Sequence, residues 1–451
     1  MRAVAEPVVT AEAEQGDLHV TKQTAVIVGA GHRAVLYASY AEDHPEELAI
    51  VGVADPSELR RRQAADRFDL PPDHCFQSAE QLARAPKLAD FVINGTMDHQ
   101  HVPTTLPLLE RGYDVLLEKP FATNEAEMWE LLRAVHRNGC RVAICHVLRH
   151  APFYIAADDY VAGGAIGEII NVQATEHVSY HHMAVGYVRG KWRREDACHS
   201  TMLMAKCCHD LDLIAWFKKG IPPVRVASSG SNFQFRPEKA PANAGTRCLV
   251  DCPVESDCLY SARKHHLDHP DRWSFYVWDS LEHLDNPTEE DRIEVLKTTN
   301  YGRCAWKTDM DVVDHQSVLV EFADGSTATL NMVGGASKPS RSLHILGTEG
   351  ELQGRLEDSR FVIRRIDPRP GHEYSEEEVD VNVHGDMTGA RGGHGGGDMR
   401  LVADFLRFQR GEETSPSTTS IDDSINGHLV GFCADRARRA GEVVTIQYPE
   451  I

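Results

Sequence analysis

An acid, a base and a proline end an apolar run in the first third of the chain. Residues 115 to 122 read VLLEKPFA, so a short apolar run leads directly to Glu118, Lys119 and Pro120. The apolar residues predict a buried strand, whereas a proline cannot donate to the hydrogen-bond ladder of a sheet. The charge pair has two interpretations, a solvated pair at the surface or groups that do chemistry at the strand end.

A glycine-rich turn lies upstream of this segment. Residues 24 to 43 read as strand, turn and helix, and the turn GAGHRA at 29 to 34 has the G-x-G-x-x-G/A form of a dinucleotide site. Glycines at such a turn let the backbone approach a pyrophosphate, whose charge the helix N-terminus then stabilises. The alternative is an ordinary tight turn. The candidate cofactor contacts here are Gly29, Gly31, His32 and Arg33.

An aspartate follows the next apolar run. Asp55 ends LAIVGVADP, 26 residues after Gly29, close to the spacing at which a carboxylate meets the ribose hydroxyls of a dinucleotide. A carboxylate would repel a 2'-phosphate, so Asp55 favours NAD over NADP. The nearby LRRR at 59 to 62 leaves an alternative, because one arginine could accept that phosphate.

Four cysteines in the middle of the chain have the composition of a metal site. They are Cys248, Cys252 and Cys258 in RCLVDCPVESDC, and Cys304 in YGRCAW. Thiolates are soft ligands that bind tetrahedral zinc or, less expectedly here, an iron-sulfur cluster. The alternatives are unligated thiols and disulfides. A structural zinc would clamp a segment that is too polar to form its own core.

The elements that carry these residues predict two domains. Short apolar runs alternate with helical segments up to about residue 147, which predicts a doubly wound parallel sheet of the Rossmann type. Later strands alternate in polarity and are joined by Asp-Gly and Glu-Gly turns, which favours a large, mostly antiparallel open sheet. We therefore predict an α/β protein with a tail at 1–21, an NAD-binding domain at 22–147 and an α+β domain at 148–451. A cysteine-bearing insertion at about 232–308 interrupts the second domain.

Composition excludes several classes of partner. The chain has 451 residues and a formal charge of -21, which repels nucleic acid and anionic lipid surfaces. No apolar run approaches the length of a membrane helix, and the acidic start lacks the features of a secretory signal. The eleven cysteines are an odd number and two are adjacent, so a secreted disulfide framework is disfavoured. We expect a cytoplasmic protein.

Several segments together resemble the Gfo/Idh/MocA oxidoreductases, which include glucose-fructose oxidoreductase and inositol dehydrogenase. They are the glycine-rich turn, VADP, NGTMDHQH, Glu-Lys-Pro, LRHAPFY, GGAIGEI, CCHDLDLIAWF and RSLHILGTEGEL, in this order from about residue 22. The resemblance implies that Lys119 faces the nicotinamide and the reacting hydroxyl, in a turn shaped by a cis proline. It also implies that Glu118, Thr96 and His101 contact the cofactor.

A proton acceptor is also implied. His209 aligns with the histidine that ends the family's Asp-x-x-x-His motif, but the position four residues earlier is Ala205. Lys206 and Asp212 lie three residues to either side of His209, so helical spacing places both near its face. Without the resemblance, a histidine on an apolar helix is more often structural.

The segment EHVSYHHMAVGYVRGKWRRE at 176 to 195 is rich in side chains that stack on sugars and bind hydroxyls. A positively charged loop at a subunit contact is the alternative. His394, in a glycine-rich stretch, either reaches substrate or is exposed. The predicted substrate-binding residues are Lys119, Arg149, Tyr180, His181, Arg189, Trp192, Lys206 and His209.

These inferences predict an NAD-dependent dehydrogenase that oxidises a secondary hydroxyl of a sugar, glycoside or cyclitol. The first alternative is a glycosidase or lyase that oxidises its substrate transiently and eliminates the aglycone. The second is a sugar or nucleotide sensor without catalysis. The resemblance further implies a homodimer or homotetramer formed through the open face of the second sheet.

Overall fold

The computed structural model of the chain describes residues 21–269, 273–388 and 394–449. Apart from Thr21, the tail predicted at 1–21 lies outside the described residues. None of the helices in the described ranges combines the length and apolar character that a bilayer crossing requires.

The first sheet has six parallel strands in the spatial order β3-β2-β1-β4-β5-β6. This is the order of a Rossmann sheet, and it confirms the predicted fold of the first domain. The strands are β1 (Gln23–Val28), β2 (Leu48–Ala54), β3 (Cys75–Phe76), β4 (Phe91–Asn94), β5 (Asp114–Leu117) and β6 (Val142–Ile144). The helices of this part are α1 (His32–Ala38), α2 (Tyr40–Asp43), α3 (Glu58–Phe68), α4 (Ala79–Arg84), α5 (His101–Glu110) and α6 (Glu125–Asn138).

Local sequence explains the elements of the first domain. Strands β1, β4 and β5 are buried on both faces, as a parallel sheet between helix layers requires, and their runs are accordingly apolar. Helix α6 begins where the Asn124 side chain accepts a hydrogen bond from the backbone of Glu127. It ends at Gly139, whose φ of 63° suits a residue without a Cβ.

The second sheet has nine strands in the order β14-β13-β12-β11-β7-β10-β9-β8-β15. Only β7 and β10 pair in parallel, so the expectation of a mostly antiparallel sheet is confirmed. The strands are β7 (Ile169–Ser179), β8 (Pro223–Ser231), β9 (His315–Phe322), β10 (Thr327–Ala336), β11 (Ser340–Gly347), β12 (Gly350–Arg355), β13 (Arg360–Ile366), β14 (Tyr374–Asp380) and β15 (Val444–Thr445). The remaining helices are α7 (Pro152–Ala162), α8 (Tyr180–His182), α9 (Glu195–Cys198), α10 (Met202–Phe217), α11 (Ala262–His266), α12 (Ser274–Val277), α13 (Glu289–Thr298), α14 (Val381–His384), α15 (Gly397–Arg410) and α16 (Ile421–Ala440).

The two faces of the second sheet differ in burial. Helices α10 and α16 pack on one face and on each other. Along β9, Val318 and Val320 are buried against these helices, whereas Ser317 and Leu319 point outward and are exposed. The second sheet therefore keeps one open face, as its alternating sequence predicts.

The predicted insertion lies between β8 and β9. It contains the short helices α11, α12 and α13, and part of it forms a small apolar cluster of Val185, Val277 and Leu296. The insertion thus packs against the segment that follows β7 and has little core of its own.

Helix α15 departs from the division of the chain at residue 147. It follows the second sheet in sequence, yet Leu401, Val402, Phe405 and Leu406 pack in the core of the first sheet. The ring of Phe405 meets that of Phe91 edge-on, with centroids 4.9 Å apart. One face of the Rossmann sheet is therefore completed by a helix from the far end of the chain.

Candidate active site

The charge pair Glu118-Lys119 lies at the carboxyl end of β5, where a doubly wound sheet binds its ligands. The peptide bond between Lys119 and Pro120 is cis. The Lys119 Nζ atom donates a hydrogen bond of 3.2 Å to the carbonyl oxygen of Ala205 on α10. The strand end of one domain therefore reaches the helix of the other that carries His209.

Glu118 is buried in a network that fixes the glycine-rich turn. Its Oε1 accepts hydrogen bonds from Arg33 Nε at 3.0 Å and from the Tyr37 hydroxyl at 2.9 Å. Arg33 also pairs with Asp398 of α15 at 2.7 Å. Burial opposes ionisation of Glu118, but Arg33 and Lys119 outweigh it and hold the pKa of Glu118 below its usual value. Glu118 thus anchors the turn, and it faces two cations.

His101 and His428 support the loop that carries Lys119. The two ring nitrogens of His101 lie 2.7 Å from the Pro120 carbonyl oxygen and 3.0 Å from that of Thr96. His428 on α16 accepts a hydrogen bond of 3.2 Å from the backbone N–H of Phe121. Because His101 is buried and faces two backbone carbonyls, its position suits a residue that holds the loop better than one that contacts the cofactor.

His209 is buried on α10, one turn after Ala205. Neither of its ring nitrogens has a hydrogen-bond partner among the described residues. Burial, followed by the positive charge of Lys119 and the nearby His394, lowers the pKa of His209 well below its usual value. The imidazole is therefore neutral at ordinary pH and has a free lone pair.

Two further histidines lie beside His209. The ring centroids of His394 and His146 are 5.4 Å and 5.9 Å from that of His209. His394 Nδ1 lies 3.2 Å from Asp398 Oδ1, which connects it to the Arg33 network. Sequence reasoning left His394 open and missed His146, although His146 follows β6 directly and so belongs to the strand ends that line the cleft.

Side chains of α10 and of the second sheet form a wall of paired charges. Lys206 pairs with Glu176 at 3.1 Å, and Arg341 pairs with Glu176 at 2.6 Å and with Asp210 at 2.9 Å. Burial raises the pKa of Asp210 to about 6, although Arg341 opposes this. The predicted neighbour of His209, Lys206, is thus part of a polar surface next to the cleft.

The glycine-rich turn has the space that a dinucleotide needs. Gly29 has a φ of +76°, and a Cβ there would lie 2.8 Å from the backbone nitrogen of Thr96. A Cβ on Gly31 would meet nothing within 4 Å, so the backbone at Gly31 is open to a ligand. Asp55 braces the turn, since its carboxylate accepts hydrogen bonds of 2.7 Å from the backbone nitrogens of Ala30 and Ser57. These residues fit an NAD pyrophosphate, and the contact of Asp55 with the ribose hydroxyls stays a prediction.

Comparison with known proteins agrees with this geometry. Residues 24–146 match the family description "Oxidoreductase family, NAD-binding Rossmann fold", and residues 159–446 match "Oxidoreductase family, C-terminal alpha/beta domain", both of the Gfo/Idh/MocA group. The chain belongs to the Gfo/Idh/MocA oxidoreductases. It is an NAD-binding oxidoreductase, as its resemblance to this family predicts.

Individual relatives of this Gfo/Idh/MocA protein are distant. It is 24% identical over 345 residues to the YteT protein of Bacillus subtilis (strain 168), covering 74% of this chain and 76% of that protein. It is 30% identical over 144 residues to mouse trans-1,2-dihydrobenzene-1,2-diol dehydrogenase, covering 32% of this chain and 42% of that protein. A levoglucosan dehydrogenase in complex with NADH has the same fold, with a TM-score of 0.69 at 16% identity, over 95% of this chain and 100% of that one.

The insertion of this Gfo/Idh/MocA chain covers the cofactor turn. Phe275 stacks on His32 of the turn with ring centroids 4.3 Å apart, and Trp273 stacks on His182 at 3.7 Å. Glu282 pairs with Arg60 at the start of α3, at 3.3 Å. We call residues 273–282 the cover. Sequence reasoning did not anticipate it, because the insertion has no periodicity.

Trp192 and its neighbour line the cleft mouth next to the cover. The Trp192 indole donates a hydrogen bond of 3.3 Å to Asp98, in the loop after β4. The Lys191 ammonium lies 4.4 Å from the centre of the Trp192 ring and 5.3 Å from that of Tyr276. Trp192 was predicted as a substrate contact, whereas Lys191 and Tyr276 were missed.

Other predicted substrate residues lie elsewhere. The guanidinium of Arg149 is buried and forms two bonds to Asp212, of 2.7 Å and 2.6 Å, which argues for a structural role. His181 and Tyr180 pack against His265 of the insertion. Arg189 is buried and contacts Cys248, one of the four cysteines of the insertion. Tyr180 and His181 lie on α8 and Arg189 caps the π-helical turn that follows it, so these side chains contact the insertion, which no spacing in the sequence indicates.

Proposed function

We propose that this protein oxidises a secondary hydroxyl of a sugar, glycoside or cyclitol with NAD as hydride acceptor. The observation that carries the proposal is the 3.2 Å contact between Lys119 Nζ and the Ala205 carbonyl oxygen. It brings an ammonium within one helical turn of His209, in the cleft between the glycine-rich turn and the polar wall. A cation and a neutral imidazole at one point suit the deprotonation of an alcohol.

The residues divide the chemistry between them. When bound, NAD supplies the ring that accepts hydride. Lys119 donates a hydrogen bond to the substrate oxygen and stabilises the negative charge that develops there. His209 accepts the hydroxyl proton on a ring nitrogen, because its lowered pKa keeps it in the neutral form. Glu118 fixes the position of the glycine-rich turn relative to Lys119, because it accepts a hydrogen bond from Arg33 of that turn.

A carbohydrate is the substrate class that the cleft favours. A wall of charged side chains lies beside His209, and such groups can bind several hydroxyls at once. The wall consists of Lys206, Glu176, Arg341 and Asp210. The likeness in fold to a levoglucosan dehydrogenase supports this class but does not identify the sugar.

The test measures reduced NAD at 340 nm with a panel of sugars, glycosides and cyclitols. We expect turnover with at least one member, and a loss of kcat of about 100-fold or more in Lys119→Ala and in His209→Asn. Lys87→Ala and His136→Ala are the matched controls and should keep full activity, because both side chains are exposed and contact Gly112 and Asp422 rather than the cleft residues. NAD binding without turnover on any substrate would contradict the proposal.

A second function is favoured by one observation, the imidazole of His394 at 5.4 Å from that of His209. Transient oxidation acidifies the carbon next to the new ketone, and a second base beside the first could remove that proton and expel an aglycone. Water then adds to the double bond and hydride returns to the ketone, which leaves no net reduction of NAD, so stoichiometry separates the two. With a nitrophenyl glycoside as substrate, release of many nitrophenol molecules for each NAD reduced would favour elimination. Formation of one NADH for each glycoside consumed would favour the dehydrogenase.

A further inference from the structure

A buried cation without a carboxylate partner lies beneath the insertion. Arg189, which ends the π-helical turn Met183–Val188, is only 1% exposed. Its Nε donates to the Arg303 carbonyl oxygen at 2.8 Å, and one terminal nitrogen donates to that of Tyr260 at 2.6 Å. The other terminal nitrogen has no partner in the described residues. A buried guanidinium is costly unless a negative charge compensates it.

Besides these two carbonyl oxygens, three thiols lie near the guanidinium, those of Cys248, Cys258 and Cys304. Cys248 Sγ accepts a hydrogen bond of 3.6 Å from Arg189. Cys248 and Cys304 flank a short bridge, since the Cys248 N–H donates to Gly302 at 2.9 Å and the Cys304 N–H to Thr246 at 2.8 Å.

Cys258 belongs to the same cluster. Its Sγ accepts a hydrogen bond of 3.3 Å from the Tyr260 N–H. The sulfurs of Cys248 and Cys304 and the guanidinium of Arg189 all lie close enough to Cys258 to interact with it electrostatically. Cys252 lies in the loop between Cys248 and Cys258, and all four residues are free thiols in the structure.

We propose that Cys248, Cys252, Cys258 and Cys304 bind a metal centre as thiolates. Four thiolates around a divalent zinc, or around an iron-sulfur cluster, leave a net negative charge on the centre. That charge is the counter-ion that Arg189 lacks. The unpaired terminal nitrogen of Arg189 is then available to donate to a ligand sulfur of the centre.

The spacing of the sulfurs bears on which metal is bound. Four thiolates on one zinc lie about 3.8 Å apart, given Zn–S bonds of about 2.3 Å. In the described residues, no three of these cysteines have sulfurs within 4.8 Å of one another. In an iron-sulfur cluster each thiolate binds a different iron, so the sulfurs lie farther apart. The four sulfurs are therefore not gathered as tightly as the zinc that the sequence led us to expect first would require, and metal analysis distinguishes zinc from a cluster.

The position of the centre gives it a role. The centre would connect the cysteine-bearing part of the insertion to the turn that precedes Lys191 and Trp192. The cover, another part of the insertion, packs on His32. A metal would supply the stability that the small apolar cluster of the insertion cannot. Its loss should therefore loosen the cover and weaken NAD binding.

The experiment measures metal in protein purified without oxygen. We expect about one zinc, or about four irons with as much acid-labile sulfide, per chain. Cys248→Ser and Cys304→Ser should lose most of the metal, whereas Cys75→Ser, in the first domain, should keep it. Arg189→Met should reduce metal content or accelerate its loss to a chelator.

The wild-type protein alone decides the result if the variants fail to fold. Alkylation of folded wild type should spare these four cysteines and modify them after metal removal. Absence of zinc and iron, with failure to reconstitute and alkylation of all four thiols in the folded state, would overturn the proposal. An intact mass lower by the hydrogens of a disulfide would also overturn it. Neither readout depends on dehydrogenase activity.

Discussion

Ala205 changes the surroundings of the proposed base, His209. The family's motif would place an aspartate there, one helical turn before His209, where a carboxylate orients the imidazole and raises its pKa. Here the only group that Ala205 supplies is its carbonyl oxygen, which accepts a hydrogen bond from Lys119. His209 is instead held by its packing against His146 and His394. The result is an imidazole that stays neutral well below pH 6.5.

Ala205→Asp should therefore change the pH profile. A carboxylate beside His209 favours the imidazolium, so the pKa of His209 should rise. The acid limb of kcat/KM should move to higher pH, and activity at pH 6 should fall relative to that at pH 8. The measurement is a pH profile from 5 to 9 with saturating NAD.

Ala205→Asn is the control for this change, because it has almost the same volume as aspartate and no charge. It should leave the acid limb in place even if it lowers the rate. An equal shift in both variants would show that the effect is steric, and an unmoved limb in Ala205→Asp would exclude His209 as the base.

Part of the site can be predicted from local sequence and part cannot. The glycine-rich turn and the Glu-Lys-Pro segment are each contained in a few consecutive residues, so spacing suffices. His146, His394 and His209 come from a strand end, a turn before α15 and the middle of α10, and only the docking of two domains brings them together. Arg149 and Arg189 look like substrate contacts by residue type, yet both are buried away from the cleft.

The cover is the element with the clearest consequence for cofactor binding. The stacking of Phe275 on His32 places an aromatic ring from the second domain on the turn that binds the pyrophosphate. Glu282 and Arg60 add an ion pair on the adenosine side. The cover therefore joins the two domains beside the glycine-rich turn.

Phe275→Ala should weaken NAD binding. Loss of one stacked aromatic pair is worth about 0.5–1.5 kcal/mol, so the Kd for NAD should rise about 2- to 10-fold. Titration calorimetry or the quenching of tryptophan fluorescence measures it. Phe233→Ala is a matched control, because Phe233 lies in the same insertion, is 59% exposed and packs near Lys239, away from the turn. Equal Kd values for wild type and Phe275→Ala would show that the cover does not act on NAD.

Buried histidines give the whole molecule a distinct response to acid. Burial is the main cause that lowers the pKa values of several histidines well below 6.5, and these are His146, His182, His209, His266 and His428. Below pH 6.5 the unfolded chain binds protons that the folded chain does not, so the free energy of unfolding falls as pH falls. Each such group contributes up to about 1.4 kcal/mol per pH unit in that range.

We therefore expect the unfolding midpoint in urea to decrease markedly between pH 7.5 and 5.5. His266→Gln, which removes a buried histidine outside the cleft, should reduce the pH dependence. His136→Gln, at an exposed position, should leave it unchanged. Identical pH dependence in all three proteins would show that His266 is not held neutral by the fold.

The open face of the second sheet is the expected site of assembly. Leu319 and Val333 are 47% and 42% exposed on this face, which a chain that remains a monomer would leave in water. We expect a homodimer or homotetramer in which this face is covered. Leu319→Arg should dissociate it, as measured by light scattering after gel filtration. Val443→Arg, exposed beyond α16, is the control, and a monomeric wild type would contradict the expectation.

The helix α15 also constrains how the protein is made. Phe91 of the first sheet is made early in translation, and Phe405 follows it by 314 residues. At synthesis rates of about 5–20 residues per second this separation is tens of seconds. Throughout that delay one apolar face of the nascent Rossmann sheet lacks the part of its cover that α15 supplies. Chaperones that bind exposed apolar surfaces on nascent chains should matter more for this chain than for one whose first domain closes on itself.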